Sequence, residues 1–177
     1  MNRIEFIARL RTLSACGDAV AWAEATPGTP EQLWRKCGRA DWLLWLARSA
    51  NTDRKLMVRA ACACAETALV YVRPDAQLAC LWAIDSARRW SRGEAEPGEC
   101  QAAAYAAYAA AYAAYYAAYA AAVIDAADDA AYAAYAAYYA ADAHSRALAV
   151  MAPLVRREIP WSAVAAGLRG EKGGGGV

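Results

Sequence analysis

Apolar residues recur along this chain at intervals of three and four, and the breaks between the runs are made of proline, glycine and short polar side chains, the pattern of a string of helices. Ile4, Ile7, Leu10 and Leu13 place an apolar face on a helix over residues 3–13, and Ser14 is a candidate N-cap for a second segment running through Val20 and Trp22. Thr26-Pro27-Gly28-Thr29-Pro30 interrupts the pattern. Thr29, Pro30 and Gln32 then supply a hydroxyl cap, a proline at the first helical position and an amide three residues after the cap, which predicts a helix through Leu33, Trp34 and Cys37. After Gly38, the run Asp41-Trp42-Leu43-Leu44-Trp45-Leu46 is apolar enough to require burial on more than one side of a helix. Asn51-Thr52 marks the next start, with Asp53 in the first turn, where a carboxylate complements the helix dipole. That helix runs from Arg54 to about Val72, with Leu56, Ala60, Cys64 and Ala68 along one face, and stops at Arg73-Pro74. Another runs from Asp75 to about Trp90, with Leu78, Leu81, Trp82 and Asp85 as helical neighbours; Arg92-Gly93 ends it and Pro97-Gly98 is the clearest boundary in the chain.

Beyond Gly98 the sequence turns abruptly to alanine and tyrosine, and alanine at this density is the strongest intrinsic preference for helix. Tyr105, Tyr108, Tyr112, Tyr115 and Tyr119 form one stripe, and Asp125, Asp128, Tyr132, Tyr135, Tyr139 and Asp142 form a second. The two are out of register, because the first continues to Ala126 rather than Asp125. At about 100° per residue a single straight helix would carry them on nearly opposite sides. Two arrangements satisfy the pattern: one rod of about 70 Å, at about 1.5 Å per residue, or a hairpin that turns near Val123-Ile124-Asp125, with Asp125 as N-cap and Asp128 in the first turn. No strand signal occurs anywhere. The expected fold is therefore all-α, a multi-helix bundle with a long Ala/Tyr-rich helix or helical hairpin in the C-terminal half. It forms one domain over residues 1–160, with a short-helix half (1–96) and an Ala/Tyr-rich half (97–160), followed by a C-terminal tail (161–177) with a Gly-rich end.

Charge and chemistry narrow the function. Lys plus Arg number 19 against 18 Asp plus Glu, a net charge of +1 that gives no bulk attraction for nucleic acid. The uncharged run from Gln101 to Ile124 is long enough to span a bilayer, but tyrosines spread through its middle would leave hydroxyls without partners, so no membrane span is expected. The start, MNRIEFIARLRTLS, is interrupted by Arg3, Glu5, Arg9 and Arg11 and reads as part of the folded protein, not as a leader. Six cysteines then read as reduced thiols in a cytoplasmic protein, and the single histidine, His144, lies too far along the chain from them to complete a zinc motif. No phosphate-binding glycine loop or metalloprotease motif is present. Asp125, Asp128 and Asp129 read as capping groups rather than as a paired acid and base. No catalytic residue, metal or cofactor is expected.

Tyrosine and tryptophan are the residues with something to offer a partner. Trp34, Trp42 and Trp45 read as core, with surface anchoring as the alternative, and Asp41 either caps its helix or pairs with a cation such as Arg54 or Lys55. The string Cys37-Gly38-Arg39-Ala40-Asp41-Trp42-Leu43-Leu44-Trp45-Leu46, taken with Asp53-Arg54-Lys55-Leu56, Ala60-Ala61-Cys62-Ala63-Cys64-Ala65, Ala83-Ile84-Asp85 and Arg89-Trp90-Ser91-Arg92-Gly93-Glu94-Ala95, resembles the immunity proteins of bacterial polymorphic-toxin systems. The likeness is in particular to the immunity-family-five-like domain and covers roughly residues 14–158. The chain departs from that pattern at Ala40, where a glycine is expected. The resemblance implies a cytoplasmic, non-enzymatic protein that neutralises a cognate toxin by tight association. Its candidate binding surfaces are Asp41 with Trp42, and the stripe of Asp125, Asp128, Tyr132, Tyr135, Tyr139 and Asp142. The competing reading is a structural or self-assembling helical module whose tyrosine stripes form homo-oligomers.

Overall fold

The computed structural model describes residues 1–69, 74–96, 98–99 and 146–171. These residues are helical or lie in the turns between helices, with no strand among them, so the described chain is all-α. The helices are α1 (Arg3–Thr12), α2 (Gly17–Ala25), α3 (Pro30–Lys36), α4 (Ala40–Ser49), α5 (Arg54–Ala68), α6 (Pro74–Arg92), α7 over the described residues 146–158 and α8 (Trp161–Leu168). Both tyrosine stripes, including Asp125, Asp128, Tyr132, Tyr135, Tyr139 and Asp142, and also His144, lie outside the described residues, as does the choice between rod and hairpin.

Several helix ends follow from local chemistry. Thr29 and Gln32 form the expected capping box: the Gln32 amide donates to Thr29 Oγ1 (3.3 Å) and the Thr29 amide to Gln32 Oε1 (2.9 Å), with Pro30 opening α3. A second box, Asn2 with Glu5, starts α1. Ser14 does not start α2. With φ of +62° it ends α1, its amide donating to Arg11 O and the Ala15 amide to Leu10 O, each at 2.9 Å. The unpaired carbonyls of the last turn recruit those amides in a Schellman motif, and Cys16 becomes the N-cap of α2. Asn51 (φ +51°) ends α4 in the same way, the Asn51 amide reaching Arg48 O and the Thr52 amide Ala47 O. The start of α5 therefore falls to Asp53, which as N-cap accepts from the Lys55 and Leu56 amides at 2.7 and 3.2 Å.

The chain divides into two compact units, Met1–Ala60 with Leu148–Val177, and Ala61–Ala147. This division falls inside α5, not at the change of composition near residue 97. In the first unit Phe6 and Leu10 of α1, Leu33 and Trp34 of α3, and Leu43, Leu46 and Ala47 of α4 are buried, while Ile4, expected on the inner face of α1, is 81% exposed. The inner face is centred instead on Phe6, which meets Trp161 edge-on at 6.0 Å. Arg3 ties α1 to the C-terminal end of α2 by donating Nη2 to the carbonyls of Ala23, Glu24 and Thr26 at 3.0, 2.7 and 3.0 Å.

Much of what was expected to be tail is core. Residues Trp161–Leu168 form α8, on which Val164, Ala165 and Leu168 are buried. Trp161 lies between Phe6 and Trp34, 6.2 Å from the latter. The apolar spacing of Trp161, Val164, Ala165 and Leu168, at three, one and three, is that of a helix stripe behind a proline N-cap, Pro160. α7 brings Leu148, Ala152 and Val155 to the same core, with Ile159 just beyond it. α8 approaches the end of α4 so closely that a Cβ on Gly167 would stand 1.6 Å from the Ala50 carbonyl oxygen. Only a residue without a side chain fits.

In the second unit the last turns of α5 bury Cys62, Ala63 and Cys64, and α6 buries Ile84, Ser86 and Ser91. Cys62 Sγ donates weakly to Ile84 O at 3.7 Å, and Arg88 pairs with Glu66 at 2.7 Å. Leu78, Leu81 and Trp82 share one face of α6, as their spacing requires, and that face is exposed.

Gly167→Ala is expected to lower stability by about 3 kcal/mol, the upper part of the usual range for overpacking, because the obstacle is backbone. The measurement is the urea midpoint at unchanged m-value. Gly38→Ala, with nothing within 4 Å of the added Cβ, should stay within about 0.5 kcal/mol; equal losses in the two variants would refute the close approach.

Candidate protein-interaction site

The corner between α3 and α4 gathers polar and aromatic side chains at a partly exposed surface. α3 ends at Cys37, whose amide donates to Leu33 O at 3.0 Å, and Gly38 leads into Arg39, the N-cap of α4. Arg39 has extended backbone (φ −106°, ψ 99°) and gives no side-chain cap to the helix. Its guanidinium is therefore directed elsewhere: Nε and Nη2 donate to the two carboxylate oxygens of Asp41 at 2.9 and 2.6 Å. This is a bidentate grip, which fixes orientation as well as distance. The guanidinium carbon also lies 4.5 Å from the centre of the Trp42 ring, a cation–π contact. Trp42 in turn meets Trp22 of α2, with ring centres 6.1 Å apart.

Arg39 and Asp41 keep 41% and 42% of their side-chain surface exposed, and both indoles are half-buried. Beneath them lies a small apolar cavity of about 40 Å³, walled by Trp22, Trp34, Cys37, Trp42 and Leu43 among others. The indoles thus form part of an apolar wall, while the Arg39–Asp41 edge stays partly exposed to water. The loop is also pinned from α7, where Arg156 Nη1 donates to Cys37 O at 2.6 Å, and by Cys37 Sγ, which donates weakly to Arg39 O at 3.6 Å. Burial pushes the Cys37 thiol above its ordinary value, so it stays protonated and packs as an apolar residue.

The paired guanidinium holds the Asp41 carboxyl below its ordinary range, mainly through the two hydrogen bonds and further through its charge. A depressed carboxyl contributes stability that is present above its unfolded pKa and lost as pH falls through the folded one. Because the pair is about two-fifths exposed, that contribution lies within about 1 kcal/mol.

Of the residues singled out from sequence, the structure brings Asp41 and Trp42 together at this corner. The cation that pairs with Asp41 is Arg39, not Arg54 or Lys55. Residues two apart do not face one another on a helix. Arg39, however, stands outside the helix in extended conformation, which lets it fold back onto Asp41. Trp22 and Arg156 were not singled out, being brought in from other helices; no local spacing announces them. Trp34 is core, as expected, and Trp45 is half-buried. Among the described residues no group of three or more His, Cys, Asp or Glu is placed to hold a metal, and no helix is long and apolar enough to cross a membrane.

An NMR titration should find the Asp41 carboxyl midpoint below its ordinary value of 3.8, and Arg39→Ala should return it upward. A midpoint unmoved by Arg39→Ala would show that the pair does not persist in solution.

Comparison of the whole chain with protein-family models, with curated proteins and with solved structures finds no match to any of the three.

Proposed function

We propose that this protein is a non-enzymatic binding module that neutralises a cognate bacterial toxin by tight association in the cytoplasm of the cell that makes it, and that the Arg39–Asp41–Trp42 corner is part of the contact. The observation that carries the reading is preorganisation: a bidentate ion pair lies across an indole that is itself backed by a second indole. Binding loses affinity when side chains must be ordered on contact, and here the ordering is already done. Arginine and tryptophan are also the residue types that dominate interface energetics when they sit at the centre of a patch. The toxin assignment rests on the resemblance over roughly residues 14–158, one of whose strings, Cys37 to Leu46, falls on this corner.

The test is co-purification with the product of the neighbouring gene, together with protection of cells that express that product. Arg39→Ala and Trp42→Ala should each weaken the complex by about 30-fold or more, the effect of losing roughly 2 kcal/mol at a hot spot. Circular dichroism should show each variant still folded. Full protection by both folded variants would remove this corner from the interface, and a chain that neither binds nor protects would overturn the toxin reading itself.

A further inference from the structure

The cavity under the α3–α4 corner is partly open, and burial shows where. Its lining residues on α1 and α3 are buried, as are Ala19 and Ala23 of α2, Cys37, and Leu43 and Leu46 of α4; of the lining, Trp22, Trp42 and Trp45 alone keep part of their surface exposed. The opening therefore lies among these three indoles. They are neighbours: the Trp22 and Trp42 ring centres are 6.1 Å apart, and Trp45 stands three residues beyond Trp42 on the same face of α4.

Size and wall decide what the cavity can hold. Its volume of about 40 Å³ is about a quarter of the roughly 150 Å³ that admits a benzene ring, so an aromatic side chain does not fit. The wall is almost entirely apolar, and its one sulfur, Cys37 Sγ, already donates to Arg39 O. A water needs two to four polar partners and would find almost none, and a hydroxyl or a charge would lose its hydration uncompensated. The branched end of one aliphatic side chain satisfies both limits. Arg39, against the Trp42 ring at the opening, adds a polar requirement. Its Nε and Nη2 are engaged with Asp41, a pair that is neutral as a whole and calls for no charged occupant. Nη1 carries further N–H donors, has no acceptor among the described residues, and belongs to a side chain that is 41% exposed. A peptide carbonyl can meet those donors, whereas a free hydrocarbon cannot.

We infer that this cavity seats one leucine side chain of the protein partner, with Arg39 Nη1 donating to a backbone carbonyl beside that leucine. Leucine is favoured over valine because its methylene carries the branch past the indoles while the backbone stays at Arg39. The inference rests on the reading of this corner as a partner contact, and it names the residue type that the partner brings.

Two probes separate the cavity from the peptide contact: xenon, which reads the cavity alone, and N-acetyl-leucinamide, which also carries carbonyls. N-acetyl-phenylalaninamide and N-acetyl-glycinamide are the controls. The readout is the indole N–H resonances of Trp22, Trp42 and Trp45, each assigned by its loss in the matching Trp-to-Phe variant. Xenon and N-acetyl-leucinamide should give saturable shifts and compete with each other, and both controls should bind at least tenfold more weakly than N-acetyl-leucinamide. Ala19→Val adds two carbons to the wall; it should abolish the xenon shifts and weaken N-acetyl-leucinamide tenfold or more. Arg39→Ala should keep xenon binding and weaken N-acetyl-leucinamide at least threefold. Absence of competition in the parent chain, equal binding of the leucine and phenylalanine amides, or leucine shifts that survive in folded Ala19→Val would overturn the assignment. A toxin complex that Arg39→Ala disrupts and folded Ala19→Val leaves intact would also overturn it while sparing the corner. Leucine binding by a chain that protects no cell would instead remove the toxin and leave the seat in place.

Discussion

The contact on which the first unit depends is the meeting of Gly167 with the Ala50 carbonyl. It is a backbone-to-backbone approach with no room for a Cβ, and it sets how deeply α8 can seat against α4. Once α8 is that close, Trp161 reaches between Phe6 and Trp34, and Val164 and Leu168 leave water. One small residue thereby permits the burial of several large ones, and large aromatic side chains are the heaviest contributors of apolar area in a core of this size. The unit is closed by elements from the two ends of the chain. Its stability is consequently a property of both ends at once.

That closure also reaches the candidate site. α7 is packed through Leu148, Ala152 and Val155, and the same helix presents Arg156 to the Cys37 carbonyl. The α3–α4 loop is thereby held from outside its own segment, and Arg39 leaves it in a fixed direction. A guanidinium on a free loop would sample many rotamers and lose that freedom only on meeting a partner. Here Asp41, Trp42 and Trp22 share the task of holding it. The charged edge therefore owes its geometry to the packing beneath it, and the exposed surface cannot be separated from the core as an independent motif.

Thr29-Pro30-Gln32 was legible because a capping box is made by atoms three residues apart, so its geometry is contained in its sequence. Ser14 and Asn51 end helices instead of starting them, for a complementary reason. Each is a good N-cap type, but each sits directly after a helix whose last carbonyls need amides, and the positive-φ conformation that delivers them turns the residue into a terminator. Ile4 and Phe6 show the same limit for faces: the spacing of Ile4, Ile7 and Leu10 was regular, yet the side of α1 that is covered is decided by where Trp161 stands.

Sequence by itself determined that the described chain is helical and where several of its helices begin. These follow from interactions between near neighbours, which travel with the sequence. Tertiary structure decided which face of each helix is buried, that Trp161–Leu168 belongs to the core, and that Arg39 rather than a more distant cation holds Asp41. Each of those outcomes depends on a group contributed from another element or on a backbone conformation set at a helix boundary. Whether a charge is paired and whether an apolar side chain is covered are facts about what stands opposite it, and a residue's own neighbours in sequence do not record that.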